Sequence, residues 1–114
     1  MASISCKDLS DKLRVITLVD RMDVQGTEKV EGKLGELSQG NRNVIVDLKE
    51  VTFLSSVGIR ALVANGKVLK AAGGKMVLVV GENAAVMKTL KTTVTDALLP
   101  LFIKHEEAMA ALSS

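Results

Sequence analysis

Apolar positions along the chain recur at two periods. Ser3–Lys7 and Leu13–Val19 are rich in β-branched and apolar residues and read as strands, the first at an edge. Asp8–Lys12 between them is polar and short, so the two form an antiparallel hairpin. Val30, Leu34 and Leu37 then recur at spacings of four and three, which puts them on the buried face of a helix over Gln25–Ser38. Asp23 is placed to cap that helix, because a carboxylate there accepts from unpaired backbone N–H groups and complements the helix dipole. Gly26, Gly32 and Gly35 oppose it, each costing up to about 1 kcal/mol against Ala. After Gly40, Val44–Leu48 is nearly continuously apolar, the pattern of a strand covered on both faces. Ile59, Leu62, Val63, Gly66 and Leu69 make the inward stripe of a helix over Val57–Ala72, with Gly66 allowing close approach to the sheet and Gly73-Gly74 stopping it. Met76–Val80 is the purest apolar run and predicts a central strand. Asn83 caps a short helix through about Lys91, with Val86, Met87 and Leu90 inside. Leu98–Ile103, interrupted by Pro100, predicts a last strand from Leu101 onward, and Glu106–Leu112 a final helix.

Strand, strand, helix, strand, helix, strand, helix, strand, helix predicts an α/β fold. The sheet is mixed but mostly parallel, with four to five strands, about four helices and right-handed crossovers. No internal repeat, low-complexity segment or linker divides the chain, so residues 1–114 read as a single domain. At 47% hydrophobic residues there is enough to fill one core.

Composition narrows the function classes. With 2% aromatic residues and neither Trp nor Tyr, there are no stacking platforms for single-stranded nucleic acid. A net charge of +2, spread among interspersed acids and bases, leaves no basic patch for nucleic acid or a membrane surface. Cys6 is the lone cysteine, reads as a small residue filling part of the first strand, and suits a reducing compartment. No stretch reaches the roughly 18 consecutive apolar residues of a membrane span. The polar start MASISCKDLSDK does not fit a signal peptide, so the expected location is cytoplasmic, with no membrane insertion.

Candidate chemistry is sparse. One His, one Cys and scattered carboxylates have no metal-ligand spacing, and His105 reads as a surface residue before the last helix. No G-x-S-x-G, Walker A or G-x-G-x-x-G sequence is present, so neither a catalytic residue nor a cofactor is expected. Asp47, near the end of an apolar strand where open α/β sheets place their sites, invites comparison with the phosphoacceptor of a receiver domain. Receivers also need a pair of acids after the first strand. Here only Asp8 and Asp11 follow it, in a polar turn, which leaves Asp47 a turn-forming role. Ser55 and Ser56 stand before the helix starting at Val57, which makes Ser56 its expected N-cap. The two roles of a serine there are compatible. A phosphate on Ser56 would sit at a helix N-terminus with Arg60 one turn on, adding about 1.5 to 2 negative charges without unfolding the turn.

The stretch VIVDLKEVTFLSSVGIRAL followed by AAGGKMVLVV resembles the signature of the STAS-domain family of bacterial anti-sigma-factor antagonists. The likeness extends over nearly the whole chain, through the apolar-strand-then-Asp segment Val19–Asp23 to LLPLFIKHEEAMAAL. Asp47, Val51, Phe53, Ser56, Gly58 and Ile59 match or nearly match the family's pattern of strand, Asp, Val/Leu-x-Phe and Asp-Ser-Ser/Thr-Gly-Leu. By that correspondence Ser56 falls on the phosphorylated serine, with Ser55 the alternative. Ser55 replaces the family's usual Asp and Val57 its second Ser or Thr, removing a negative charge beside the site. The resemblance implies a non-enzymatic binding module. Unphosphorylated, it would hold an anti-sigma factor that is also a serine kinase of the histidine-kinase-like ATPase fold. Phosphorylation would release it, and a PP2C-type phosphatase would restore it. Asp23, Ser55, Ser56, Val57, Gly58 and Arg60 are the expected partner-binding residues. The alternative is a non-switching STAS subunit of a transport or other complex.

Overall fold

The computed structural model describes residues 2–93 and 99–113. Within them the elements follow in the expected order: β1 Ser3–Ser10, β2 Leu13–Met22, α1 Val24–Leu37, β3 Asn43–Leu54, α2 Ser56–Ala71, β4 Lys75–Val79, α3 Ala84–Thr93, β5 Leu101–Phe102 and α4 His105–Ser113. Leu98, expected at the start of the last strand, lies outside the described residues. Strand order in the sheet equals strand order in the chain. The β1–β2 hairpin is antiparallel; β2, β3, β4 and β5 run parallel.

Because each parallel step moves one strand in the same direction, right-handed crossovers put the three connecting helices on one face. Period-two alternation supplies that face with Ile16, Leu18, Val44, Val46, Leu48, Met76, Leu78 and Val80. They pack with Val30 and Leu34 of α1, Leu62 and Leu69 of α2, and Val86 and Leu90 of α3. On the other face Ile45, Val77 and Val79 meet Ala108 of α4, with Leu13, Val15, Phe102 and Leu112 around them. The centres of β3 and β4 are therefore covered on both sides. That is why Val44–Leu48 and Met76–Val80 are continuously apolar rather than alternating.

The two strands that carry the interesting end of the sheet are longer than their apolar runs. Past Val19, β2 continues to Met22 through Asp20, which sits at φ +77°, a left-handed conformation that Asp tolerates better than most side chains. Past Leu48, β3 continues to Leu54 alongside it, with register irregularities between Thr17 and Val19 and between Asp20 and Arg21. Lys49-Glu50 has the composition of a turn but is a solvent-facing interruption, after which Val51 and Leu54 return to the core at 2% and 5% exposure. Cys6 is exposed rather than packed, on an edge strand whose side chains are exposed at nearly every position.

Asn83 holds the β3 extension in place. Its Oδ1 accepts from the Val86 N–H at 3.3 Å, capping α3 as expected, while its Nδ2 donates to the carbonyls of Val51 at 2.7 Å and Leu48 at 3.2 Å. One amide thus serves as helix cap and as clamp on a bulged strand. Asn83→Ala should lower unfolding stability by about 1–3 kcal/mol in chemical denaturation, since it strands buried carbonyls as well as an N–H. Asn83→Asp keeps the cap but has no donor for the carbonyls, and should also be destabilised; wild-type stability in Asn83→Asp would reduce Asn83 to a cap.

Candidate functional site

The carboxyl ends of β2 and β3 carry the starts of two helices side by side. The Met22 carbonyl accepts from the Ser55 N–H at 3.0 Å and from the Ser55 hydroxyl at 2.6 Å. The same Ser55 Oγ accepts from the Gly58 N–H at 3.2 Å, making Ser55 the N-cap of α2. One residue after Met22, Asp23 caps α1 as expected, its Oδ1 accepting from the Gly26 N–H at 2.8 Å. Both helices therefore begin cap-x-x-Gly. In each the glycine lets the first turn press onto the end of β2. A Cβ at Gly58 would lie 2.9 Å from Leu54 Cδ1 and 3.1 Å from the Met22 carbonyl oxygen; one at Gly26 would run into the Arg21 carbonyl.

The expectation that Ser56 caps α2 is corrected: the helix begins one residue earlier, and the cap is Ser55. The physical reason is the second bond of Ser55. Only that hydroxyl reaches both the Gly58 N–H and the Met22 carbonyl, so the cap is also the tie between strand and helix. Ser56 becomes the first helical residue and is exposed, its hydroxyl making no hydrogen bond among the described residues. Val57 is half-buried, Gly58 buried, and Arg60 exposed four residues after Ser56, with no ion pair among the described residues. Asp23, Ser55, Ser56, Val57, Gly58 and Arg60 are thus gathered at one end of the sheet.

Two neighbours, Arg21 and Val24, were not among the expected site residues, and Phe53 entered only as a match to the family's pattern. Arg21 places its guanidinium 5.0 Å from the centre of the Phe53 ring and 3.3 Å from the Asp23 carboxylate. The Asp23 carboxyl is held below its ordinary range, first by the Gly26 N–H it accepts and then by Arg21. Phe53 and Val24 remain 44% and 53% exposed, so an apolar rim borders a polar turn. The sequence signal for this was an apolar residue just after a cap, and a Phe in a strand whose alternate positions are buried.

Asp47 does shape the local chain, its Oδ1 accepting from the Lys49 N–H at 2.9 Å. It is not at the strand end, however: it lies in mid-β3, paired with Thr17 and Val79. Its Oδ2 is 2.9 Å from His105 Nε2 and 3.7 Å from Lys49 Nζ. His105 is therefore not the plain surface residue expected, because the first turn of α4 lies over the sheet and brings its ring to a carboxylate only 8% exposed. Among the described residues no three His, Cys, Asp or Glu side chains gather as a metal-binding group. The same residues contain no helix long and apolar enough to cross a membrane.

A sequence model of the STAS domain matches residues 7–108. The chain belongs to the STAS-domain family. An anti-sigma factor antagonist from Mycobacterium paratuberculosis superposes on this STAS domain with a TM-score of 0.87 at 23% identity, covering 100% of this chain and 96% of the other. The anti-sigma factor antagonist SpoIIAA in its unphosphorylated form gives 0.77 at 18% identity over 97% and 96%. The phosphorylated form of the Bacillus protein SpoIIAA gives 0.69 at 18% over 96% and 98%. A search of curated protein sequences finds no match. These likenesses bear out the mixed, mostly parallel α/β fold that the element order predicted with four to five strands, and the sheet has five.

The two serines of this STAS domain should differ sharply in stability measurements. Ser55→Ala removes a cap and leaves the Met22 carbonyl without its hydroxyl donor, for a loss of about 1–2 kcal/mol in urea denaturation. Ser56→Ala should stay within about 0.5 kcal/mol of wild type. Equal losses would contradict the assignment of the cap to Ser55.

Proposed function

We propose that this STAS domain is an anti-sigma-factor antagonist whose grip on its partner is switched by phosphorylation of Ser56. The observation that carries the proposal is the division of labour between adjacent hydroxyls. The Ser55 hydroxyl is engaged on both sides, donating to Met22 and accepting from Gly58, whereas the Ser56 hydroxyl is exposed at the first position of α2. A kinase that takes Ser56 meets an available nucleophile; one that takes Ser55 must first break the tie between β2 and α2.

A phosphate at Ser56 fits its surroundings without refolding them. The helix N-terminus favours an anion, and Arg60, one turn on, is free of ion pairs among the described residues. The consequence lies on the surface. About 1.5 to 2 negative charges arrive at one end of the sheet, where exposed Val24 and Phe53 offer apolar area to a protein partner. A partner that buries this end in the unphosphorylated state would have to desolvate the new charge, which favours release. The partner is an anti-sigma factor that is also a serine kinase of the histidine-kinase-like ATPase fold, and a PP2C-type phosphatase reverses the switch. Two structural neighbours support the proposal, being forms of one antagonist with and without phosphate. In this role Ser56 is substrate, and the domain itself is not an enzyme.

Incubation with the cognate kinase and ATP, read by mass spectrometry, should place phosphate on Ser56 in wild type and in Ser55→Ala, and none on Ser56→Ala. Ser56→Asp should bind the kinase at least about tenfold more weakly than wild type, a difference of about 1.4 kcal/mol. No phosphate on either serine would point to a non-switching STAS subunit of a transport or other complex, and undiminished binding by Ser56→Asp would overturn the charge mechanism.

A further inference from the structure

Arg21 and Phe53 are register partners across the parallel strands β2 and β3. The next residue of each strand, Met22 and Leu54, is buried, so alternation turns Arg21 and Phe53 to the other side of the sheet, where both are exposed. There the Arg21 guanidinium lies 5.0 Å from the centre of the Phe53 ring, and its Nε donates to Asp23 Oδ2 at 3.3 Å. The other Asp23 oxygen accepts from the Gly26 N–H at 2.8 Å, so the carboxylate is itself anchored to the first turn of α1. The backbone beneath is equally confined, since a Cβ at Gly26 would meet the Arg21 carbonyl oxygen.

An exposed arginine ordinarily samples many rotamers, whereas this one is held against a ring and by one nitrogen. The contacts engage only the face and the Nε of the guanidinium. Nη1 and Nη2 make no hydrogen bond among the described residues, and the side chain is 61% exposed. Fold stability does not account for the arrangement. A surface ion pair contributes little, and Asp23 caps α1 through its other oxygen. A Phe left 44% exposed adds less to a core than a buried one would.

We propose that Arg21 is a preset recognition residue, whose free Nη pair takes a carboxylate of the protein partner in a two-pronged hydrogen bond while an aliphatic side chain of the partner covers the exposed Phe53 ring. This rests on the switched antagonist proposed for the domain, with the anti-sigma factor kinase as the partner. Phe53 is three residues before Ser56, at most about 11 Å along the chain, so a partner that covers the switch serine reaches the ring. Charge selects a carboxylate over a phosphate. Asp23 offsets much of the positive charge of Arg21, so a singly charged planar group matches the fork in both shape and charge, whereas Asp23 repels a dianion more strongly. Because ring and Asp23 already hold the guanidinium, little side-chain freedom is lost on binding.

The test is calorimetric affinity of the unphosphorylated chain for the cognate kinase. Arg21→Gln and Arg21→Lys should each bind about tenfold more weakly or worse, the lysine failing because a point charge cannot make the two-pronged bond. Both should keep the urea midpoint of wild type, and both should still be phosphorylated on Ser56 at saturating kinase. Among single Asp→Asn and Glu→Gln variants of the kinase surface, at least one should lose affinity for wild type yet lose nothing further against Arg21→Gln, as expected of a directly coupled pair. Wild-type affinity in either Arg21 variant, a fall in urea midpoint that parallels the loss, or additive losses with every kinase carboxylate would overturn the proposal and leave the Ser56 switch standing. A wild-type chain that neither binds the kinase nor is phosphorylated would overturn the antagonist reading, and this proposal with it.

Discussion

The Met22 carbonyl is the point on which the candidate functional end of this domain depends. It terminates β2 and receives both the backbone N–H and the hydroxyl of Ser55, so strand end and helix start share one acceptor. Everything around it follows from that closeness. Gly58 has no side chain because Leu54 and the Met22 oxygen leave no room for one, and Ser55 must supply a hydroxyl short enough to bridge carbonyl and helix N–H. Asp23, the next residue along from Met22, repeats the arrangement for α1. Two helix N-termini are thereby presented together, and the residue immediately after the second cap is left with an exposed hydroxyl.

The rest of the domain keeps that end rigid. Sheet order without reversal sends α1, α2 and α3 to one face, where they bury the strands' alternate residues, and leaves α4 to cover the middle of the other. Polar contacts at two further places fasten what apolar packing cannot. Asn83 grips the carbonyls of the bulged β3 extension, and the Asp47–His105 pair fixes the first turn of α4 above β3. Removing one partner of that pair leaves the other short of its hydrogen bond away from bulk water, so the pair acts as a structural tie.

Fold and site were legible to different degrees for physical reasons. The strands and helices could be read because their apolar periods are set by local geometry: Val30 and Leu34 on one helix face, Val44–Leu48 between two layers. Asp23 as a cap was equally readable, since that role belongs to one residue type in one local setting. The one-residue error at the cap was not avoidable from local pattern alone, because Ser55 and Ser56 have the same propensity and the choice is made by a carbonyl 33 positions away. Likewise Asp47 and His105 are 58 positions apart, and no period or spacing relates them. The continuation of β3 past Lys49-Glu50 was hidden because bulges break the two-residue alternation by which strands are recognised.

The central claim is that Ser55 holds the turn while Ser56 receives the charge, so that phosphorylation alters a surface and not the fold. Amide hydrogen exchange, measured by NMR on the chain before and after stoichiometric phosphorylation, tests it most directly. The account predicts that the Ser55 and Gly58 amides keep their protection while chemical-shift changes cluster at the first turn of α2 and at Arg60. Loss of protection at Ser55 and Gly58 on phosphorylation would show that the modification opens the strand–helix tie, and would contradict the account.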